Sequence, residues 1–242
     1  MNILAIGNSF SVDANRYLHQ IARADGETVN VATLYISGCP LDRHFRNLMA
    51  DACSYELYYN GMATGFHVSM KEALLNREWD VVTIQQSSVR SPIAASYFPY
   101  ASVLADYVHQ CAPKAKLVIH QTWAYEQDSQ KLTNLGYSDH RDMFADIEQA
   151  YQQAHDKLNA DGMIPSGQMF QYLLAHGFEK VHRDTFHATK GAGRYALALL
   201  WYHVLTGRSV AENPYCDFDE PVTEQEMRII KDYIDTVPAL TL

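Results

Sequence analysis

The sequence predicts an α/β protein: a three-layer α/β/α sandwich built on a mainly parallel, doubly wound sheet of about five strands. Three observations carry this expectation. Short continuous apolar runs, clearest at residues 3–6, 79–84 and 116–120, have the pattern of strands buried on both faces. Glycine or small polar residues follow these runs, and then comes a stretch with helical spacing of apolar residues, so strands and helices alternate. No internal repeat, low-complexity tract or linker interrupts the 242 residues, which suffice for one full core. The expected unit is a single domain over residues 1–242, with its core at about 2–207 and a helical extension at about 222–237.

In chain order, residues 3–6 form the first strand, stopped by Gly7. A helical pattern begins near Asp13 and puts Tyr17, Leu18, Ile21 and Ala22 on one face. Residues 27–36 form the second strand, leading into Ser37-Gly38-Cys39-Pro40, and residues 40–49 a short helix or ordered loop. Asn60-Gly61 between two aromatic-rich runs signals a small antiparallel excursion over 56–68. A short helix at 70–76 precedes the third strand, which ends in Gln85-Gln86-Ser87-Ser88. Helices are expected at about 100–110 and 139–159, with the strand at 116–120 and a polar loop at 127–138 between them. Residues 163–165 make a fifth strand, Ser166 a cap for a helix to about 176, and 189–206 a strongly apolar helix stopped by Gly207. Thr223 caps a last amphipathic helix over 224–237.

A net charge of −9 excludes a basic stripe that could displace counterions from nucleic acid, and no segment reaches the length of a membrane span. The 12% aromatic content, with 16 Tyr, fits a protein that holds sugars or flat ligands, although aromatics are mostly core residues. Cys39, Cys53, Cys111 and Cys216 are scattered without zinc or disulfide spacing, as expected for free thiols in a reducing compartment. The first strand follows Met1 so closely that no signal peptide fits, which points to the cytoplasm; a removed signal replaced by a starting methionine would leave the same sequence.

Chemistry concentrates at two stretches. Gly7-Asn8-Ser9 places Ser9 at the carboxyl end of the first strand, where open α/β sheets bind ligands. Three readings fit Ser9: a helix cap, part of a phosphate-cradling loop, or a nucleophile on a tight strand-to-helix turn. The phosphate reading has only one glycine in its favour. Far down the chain stands Asp184-Thr185-Phe186-His187, whose spacing can bring a carboxylate to an imidazole and leave the second ring nitrogen free to deprotonate a serine. A surface Asp with a capping His is the plainer account of that pair alone. A metal site at His182, Asp184 and His187 lacks a second cluster of ligands, so no metal is expected.

Taken together, Gly7-Asn8-Ser9-Phe10, Gly38, a polar amide after the third strand and Asp184-x-x-His187 resemble the SGNH/GDSL hydrolase superfamily, over about residues 2–207. The resemblance implies a flavodoxin-like sandwich, Ser9 as nucleophile, His187 as general base and Asp184 as its orienting partner. It also implies an oxyanion hole from the Ser9 and Gly38 N–H groups, and no cofactor. Two departures stand out. Asn8 replaces the usual Asp, and the Gly-x-Asn-Asp block is missing, with Gln85-Gln86 in its place. A glutamine amide can donate to an oxyanion, and since successive strand residues face opposite ways only one of the two would do so, Gln85 being favoured by its position nearest the strand end. Trp123 could line a substrate pocket or sit in the core, and Arg90 could receive an acidic group or be solvated. The expected activity is hydrolysis of small acyl esters through an acyl-enzyme, with O-acetyl groups on a carbohydrate the leading substrate and neither nucleic acid nor membrane a partner. A lipid or thioester hydrolase and a non-catalytic anion- or sugar-binding module are the alternatives, and the oligomeric state is left open.

Overall fold

The computed structural model describes residues 1–241. Its centre is β1 (Asn2–Gly7), which pairs in parallel with β2 (Asn30–Tyr35) on one side and β5 (Val81–Ile84) on the other. The sheet continues through β6 (Lys116–Gln121) to β7 (Gly162–Pro165), again parallel. At the far edge the expected hairpin, β3 (Tyr55–Tyr59) and β4 (Met62–Val68), joins antiparallel to β2 instead of standing apart from it. The sheet therefore has seven strands in the order β4-β3-β2-β1-β5-β6-β7. Asn60 and Gly61 turn the hairpin with φ of 49° and 82°. A Cβ on Gly61 would lie 2.3 Å from the Arg16 carbonyl oxygen, so glycine is needed for space as well as conformation.

Alternate residues of β1 feed two separate cores. Ile3 and Ala5 point into one, with Val31, Val81, Val118 and Ile164. Leu4 and Ile6 point into the other, with Leu34, Val82, Ile84, Leu117 and Ile119. The first face is covered by α1 (Ser9–Asn15), α2 (Leu18–Ala24), α8 (Ser166–Ala175), α9 (Ala192–Thr206) and α10 (Glu224–Ile234). The second carries α3 (Leu41–Met49), α4 (Met70–Leu75), α5 (Tyr100–Cys111) and α7 (His140–Leu158). Helix α9 is apolar all round because it is covered all round: it lies on the sheet side of α10 and packs against α1, α2 and α8 as well. Thr223 caps α10 through a reciprocal capping box with Glu226.

After β1 the chain moves to the β2 side and returns to β5 on the other side. The carboxyl ends of β1 and β5 thus flank the crevice where connections diverge. Several element boundaries differ from expectation. α1 starts at Ser9 rather than near residue 13, because Asn8 caps it. The loop at 127–138 contains a short helix, α6 (Gln130–Asn134). Ser166 lies inside the first turn of α8, its hydroxyl directed to His120 rather than capping. The four cysteines are unpaired, and among the described residues no helix is long and apolar enough to cross a membrane.

Burial disfavours the charged rings of three histidines: His44 and His120 are pushed down to about 3, and His182 to about 4. The unfolded chain takes up these protons near pH 6.5, so below that value it binds more protons than the folded state. Stability should hold steady from pH 8 to 7 and fall as pH drops from about 6.5 toward 4, by at most about 1.4 kcal/mol per pH unit per ring. Urea midpoints across this range measure it; a midpoint that rises on acidification would contradict the neutral buried rings.

Candidate active site

The site starts from a steric constraint at the end of β1. A Cβ on Gly7 would sit 2.1 Å from Ser11 Oγ and 3.1 Å from Gln85 Cδ, so only glycine lets the strand turn directly into α1. Asn8, in extended conformation, caps the helix by accepting from the Phe10 N–H (3.0 Å). Ser9 thereby becomes the first helical residue, with its hydroxyl at the strand end. Phe10 stacks flat on Trp123, ring centroids 4.0 Å apart, and anchors the helix from below.

The second half of the site is a tight loop between α8 and α9. A bridge between His182 and Ala188 closes it, and the Arg183 N–H donates to the His187 carbonyl (2.9 Å). Inside, Asp184 Oδ1 accepts from the His187 backbone N–H (2.9 Å) while Oδ2 lies 2.8 Å from Nδ1. His187 Nε2 is 2.8 Å from Ser9 Oγ. With Nδ1–H donated to Asp184, Nε2 is left to accept the serine proton. Residues 178 positions apart therefore form one hydrogen-bonded chain. Thr185 sits at φ 75°, a left-handed conformation that costs a β-branched residue on the order of 1–3 kcal/mol. It is held there in part by the Glu126 N–H, which donates to its carbonyl (2.8 Å). Trp123 Nε1 donates to the Phe186 carbonyl (2.7 Å), so this one indole supports both the serine helix and the histidine loop. Burial opposes ionisation of Asp184, but hydrogen bonds from His187 and the nearby Arg183 charge outweigh it and hold the carboxyl below its usual range.

Gly38 lies beyond the end of β2, exposed and at φ 60°, a conformation in which a side chain would be strained although space is open. Asn8 Nδ2 donates to the Cys39 carbonyl (3.3 Å) and ties this loop to the serine turn. Among the described residues, neither the Ser9 nor the Gly38 N–H donates to a protein acceptor.

Four sequence-based expectations need correction or restriction. Gln85 and Gln86 do face opposite ways, but both are buried and committed to the scaffold. Gln86 spends its amide on the Ser96 carbonyl and hydroxyl (3.1 Å each), and its oxygen accepts from the Leu41 and Ser87 N–H groups. Gln85 donates to Asn8 Oδ1 (2.9 Å) and accepts from Ser11 Oγ (2.5 Å) and His120 Nδ1 (2.7 Å), so it braces the serine turn from underneath rather than presenting an amide beside the hydroxyl. His120 in turn meets Ser166 Oγ at 3.1 Å. Trp123 is fully buried, packed between Phe10 and Phe170. Arg90 is neither free nor fully solvated: its guanidinium donates to the buried Asp42 (2.6 Å). His182 directs Nε2 to the Ala124 carbonyl (3.0 Å).

The sequence reasoning missed Asp13, one turn after Ser9 on α1 and 1% exposed. It receives Arg183 and Arg194, and also the Ala188 N–H. An acidic residue in a short amphipathic helix looks solvated, and no spacing rule links it to arginines 170 and 181 residues away.

The chain belongs to the family described as a domain of unknown function (DUF4886), whose model matches residues 2–235. It is similar to a crystal structure of a DUF4886 family protein from Bacteroides uniformis, at 30% identity and a TM-score of 0.90, covering 97% of this chain and 93% of that one. A candidate SGNH hydrolase from Slackia heliotrinireducens matches at 25% identity and a TM-score of 0.62, over 84% and 97% of the two chains. An acetylxylan esterase from Geobacillus stearothermophilus shares the fold at 15% identity and a TM-score of 0.51, over 83% and 91%. Comparison with curated proteins finds no match. The fold is SGNH-like, in a divergent form.

Because Gln85 joins three partners, Gln85→Ala should lower the unfolding free energy by roughly 2–4 kcal/mol, through the polar groups it leaves unpaired. Chemical denaturation would measure this. A variant of unchanged stability would contradict this bracing role.

Proposed function

We propose that this protein is a serine hydrolase of carboxylic esters, acting through an acyl-enzyme on Ser9. The observation that carries the proposal is the unbroken sequence of contacts Ser9 Oγ–His187 Nε2 and His187 Nδ1–Asp184 Oδ2, each 2.8 Å. A helix cap or an anion-binding loop at Ser9 would need neither contact. Ser9 Oγ attacks the ester carbonyl as its proton passes to His187 Nε2, and Asp184 stabilises the imidazolium that forms. The carbonyl oxygen, now negative, meets the Ser9 and Gly38 N–H groups, each such donor being worth about 3–4 kcal/mol. The tetrahedral intermediate collapses, the alcohol leaves with the proton from Nε2, and the acyl group stays on Ser9. Water, deprotonated by the same nitrogen, then releases the acid and restores the serine.

For the substrate we favour small acyl groups, with O-acetyl esters of a carbohydrate first. The acetylxylan esterase of the same fold supports this choice, as does the Tyr-rich composition. No step of this cycle draws on a metal or organic cofactor.

Treatment with a fluorophosphonate should add a single adduct to the wild-type chain and none to Ser9→Ala, read by intact mass. Folded wild-type protein that takes no adduct would overturn the proposal. Ser9→Ala and His187→Ala should lose on the order of 10⁴-fold or more in kcat with nearly unchanged thermal midpoints. Asp184→Asn should lose less than His187→Ala, because the carboxylate orients and stabilises the base without itself taking the proton. Equal, intact activity in both would remove the triad from the mechanism.

A further inference from the structure

The buried Asp13 carboxylate is bonded to both ends of the loop that carries His187 and to α9. Arg183 Nη1 donates to both of its oxygens (3.0 Å each), and the Ala188 N–H donates to Oδ2 (3.2 Å). Those two residues are the ones immediately outside the Asp184–His187 motif. The same Arg183 nitrogen also donates to the Ala188 carbonyl (2.5 Å), closing the neck of the loop on itself. Arg194, at the start of α9, donates from Nε to Asp13 Oδ1 (2.8 Å) and from Nη1 to Asp219 (2.8 Å). Asp219 is gripped from the other side by Arg16. One carboxylate thus joins the helix that carries Ser9, both ends of the loop that carries His187, and α9.

We propose that Asp13 is the positioning residue that sets the Ser9–His187 separation, by clamping the catalytic loop at Arg183 and Ala188 to the nucleophile helix. This rests on the triad reading and deepens it. The argument is one of lever arms. His187 lies on an irregular loop outside the sheet, with Thr185 in a conformation its side chain disfavours, so the loop does not hold its own shape for free. Trp123 fixes the loop only at Phe186, and Glu126 only at Thr185. Among the described residues, Asp13 is the polar tie between its neck and the element that carries the nucleophile, while the Phe10 ring meets the loop further in, at Phe186 and His187. A neutral acceptor in its place cannot satisfy two guanidinium groups and a backbone N–H together, and an amide there would turn N–H donors against the arginines. A general base displaced by about 1 Å loses roughly two orders of magnitude in rate.

The test uses Asp13→Asn with two companions. Arg183→Met removes the charged half of the clamp on the loop side, leaving Asp13 the Ala188 N–H and Arg194, and so guards against an Asp13 variant that does not fold. Asp219→Asn loosens the outer end of the same ion network without touching the loop. Two readouts are taken on folded protein: the fluorophosphonate labelling rate, with kcat and KM on a small acetyl ester, and the low-field proton resonance of the His187 Nδ1–H bond to Asp184, assigned by its loss in His187→Ala. In Asp13→Asn and in Arg183→Met we expect labelling rate and kcat to fall roughly 10- to 100-fold with KM within about threefold. The resonance should broaden or vanish, while Asp219→Asn stays within about threefold of wild type with its resonance intact. Wild-type labelling and a sharp resonance in a folded Asp13→Asn or Arg183→Met would overturn the clamp. An equal loss in Asp219→Asn would also overturn it, making the network a general structural one. If the wild-type chain does not label at all, the triad reading fails by itself, and the resonance in the Asp13 and Arg183 variants still decides the clamp.

Discussion

Everything at this site follows from how abruptly β1 must become a helix. The strand is buried on both faces up to Gly7, and two residues later Ser9 is already helical. So sharp a change leaves no room for a side chain at Gly7 and leaves the first helical N–H groups without partners inside the helix. Asn8 satisfies one of them and is in turn held by Gln85, which reaches across from the neighbouring strand. Gln85 needs a second support for its oxygen and finds Ser11 and His120. The cost of the turn is thus spread into a buried polar chain that ends at Ser166 on the far side of β6. Such a chain is stable only when every member is satisfied, which is why burial keeps the His120 ring neutral and able to accept at one nitrogen while donating at the other.

A turn built this way holds a serine firmly but supplies no base. In the proposed mechanism the base comes from a loop that shares no strand pairing with β1, and its alignment relies on attachments of different kinds. Trp123 contributes stacking and one hydrogen bond, Glu126 a backbone hydrogen bond, and Asp13 a buried ionic contact. The directions of these contacts differ, so together they restrict both translation and tilt of the loop. This matters because Asp184 is about half exposed, its side chain 47% accessible, and water competes for it. Asp184 holds His187 by two contacts, the backbone N–H on Oδ1 and the ring on Oδ2, and both depend on the loop keeping its shape.

The parts of this protein that could be read from its sequence are those that depend on neighbours along the chain. The strands were visible as continuous apolar runs, and the Asp184–His187 pair because three residues of a tight loop suffice to join them. Gly38 was singled out by the resemblance alone, and it follows β2, which pairs with β1. What alternation along a strand could tell about Gln85 and Gln86 was that they face opposite sides, and they do. It could not tell that both sides are packed, since depth is decided by Ser11, Ser96, His120 and Tyr151, which arrive from elsewhere in the chain. Trp123 was ambiguous for the same reason: a residue at the carboxyl edge of a sheet can line a crevice or sit beneath it, and stacking with Phe10 puts it beneath. Asp13 was invisible because its partners become neighbours only when α1, the catalytic loop and α9 are packed together.

The glutamine replacement can now be placed in a different role from the one its position suggests. An asparagine after the third strand of an SGNH-like site would act by reaching the oxyanion. The longer Gln85 side chain instead reaches past that position to the cap residue, where Asn8 in place of Asp offers both an acceptor for Gln85 and a donor for Cys39. An aspartate at that position, ionised, would have no donor for the Cys39 carbonyl. The two departures from the family pattern therefore form a single exchange: the amide at 85 and the amide at 8 satisfy each other, and together they hold the Gly38 loop against the serine turn. In the proposed mechanism the oxyanion meets main chain alone, from Ser9 and Gly38. Two backbone donors fixed by a rigid turn lose little to reorganisation as charge develops, so a site of this construction depends on the placement of those two N–H groups more than on their number.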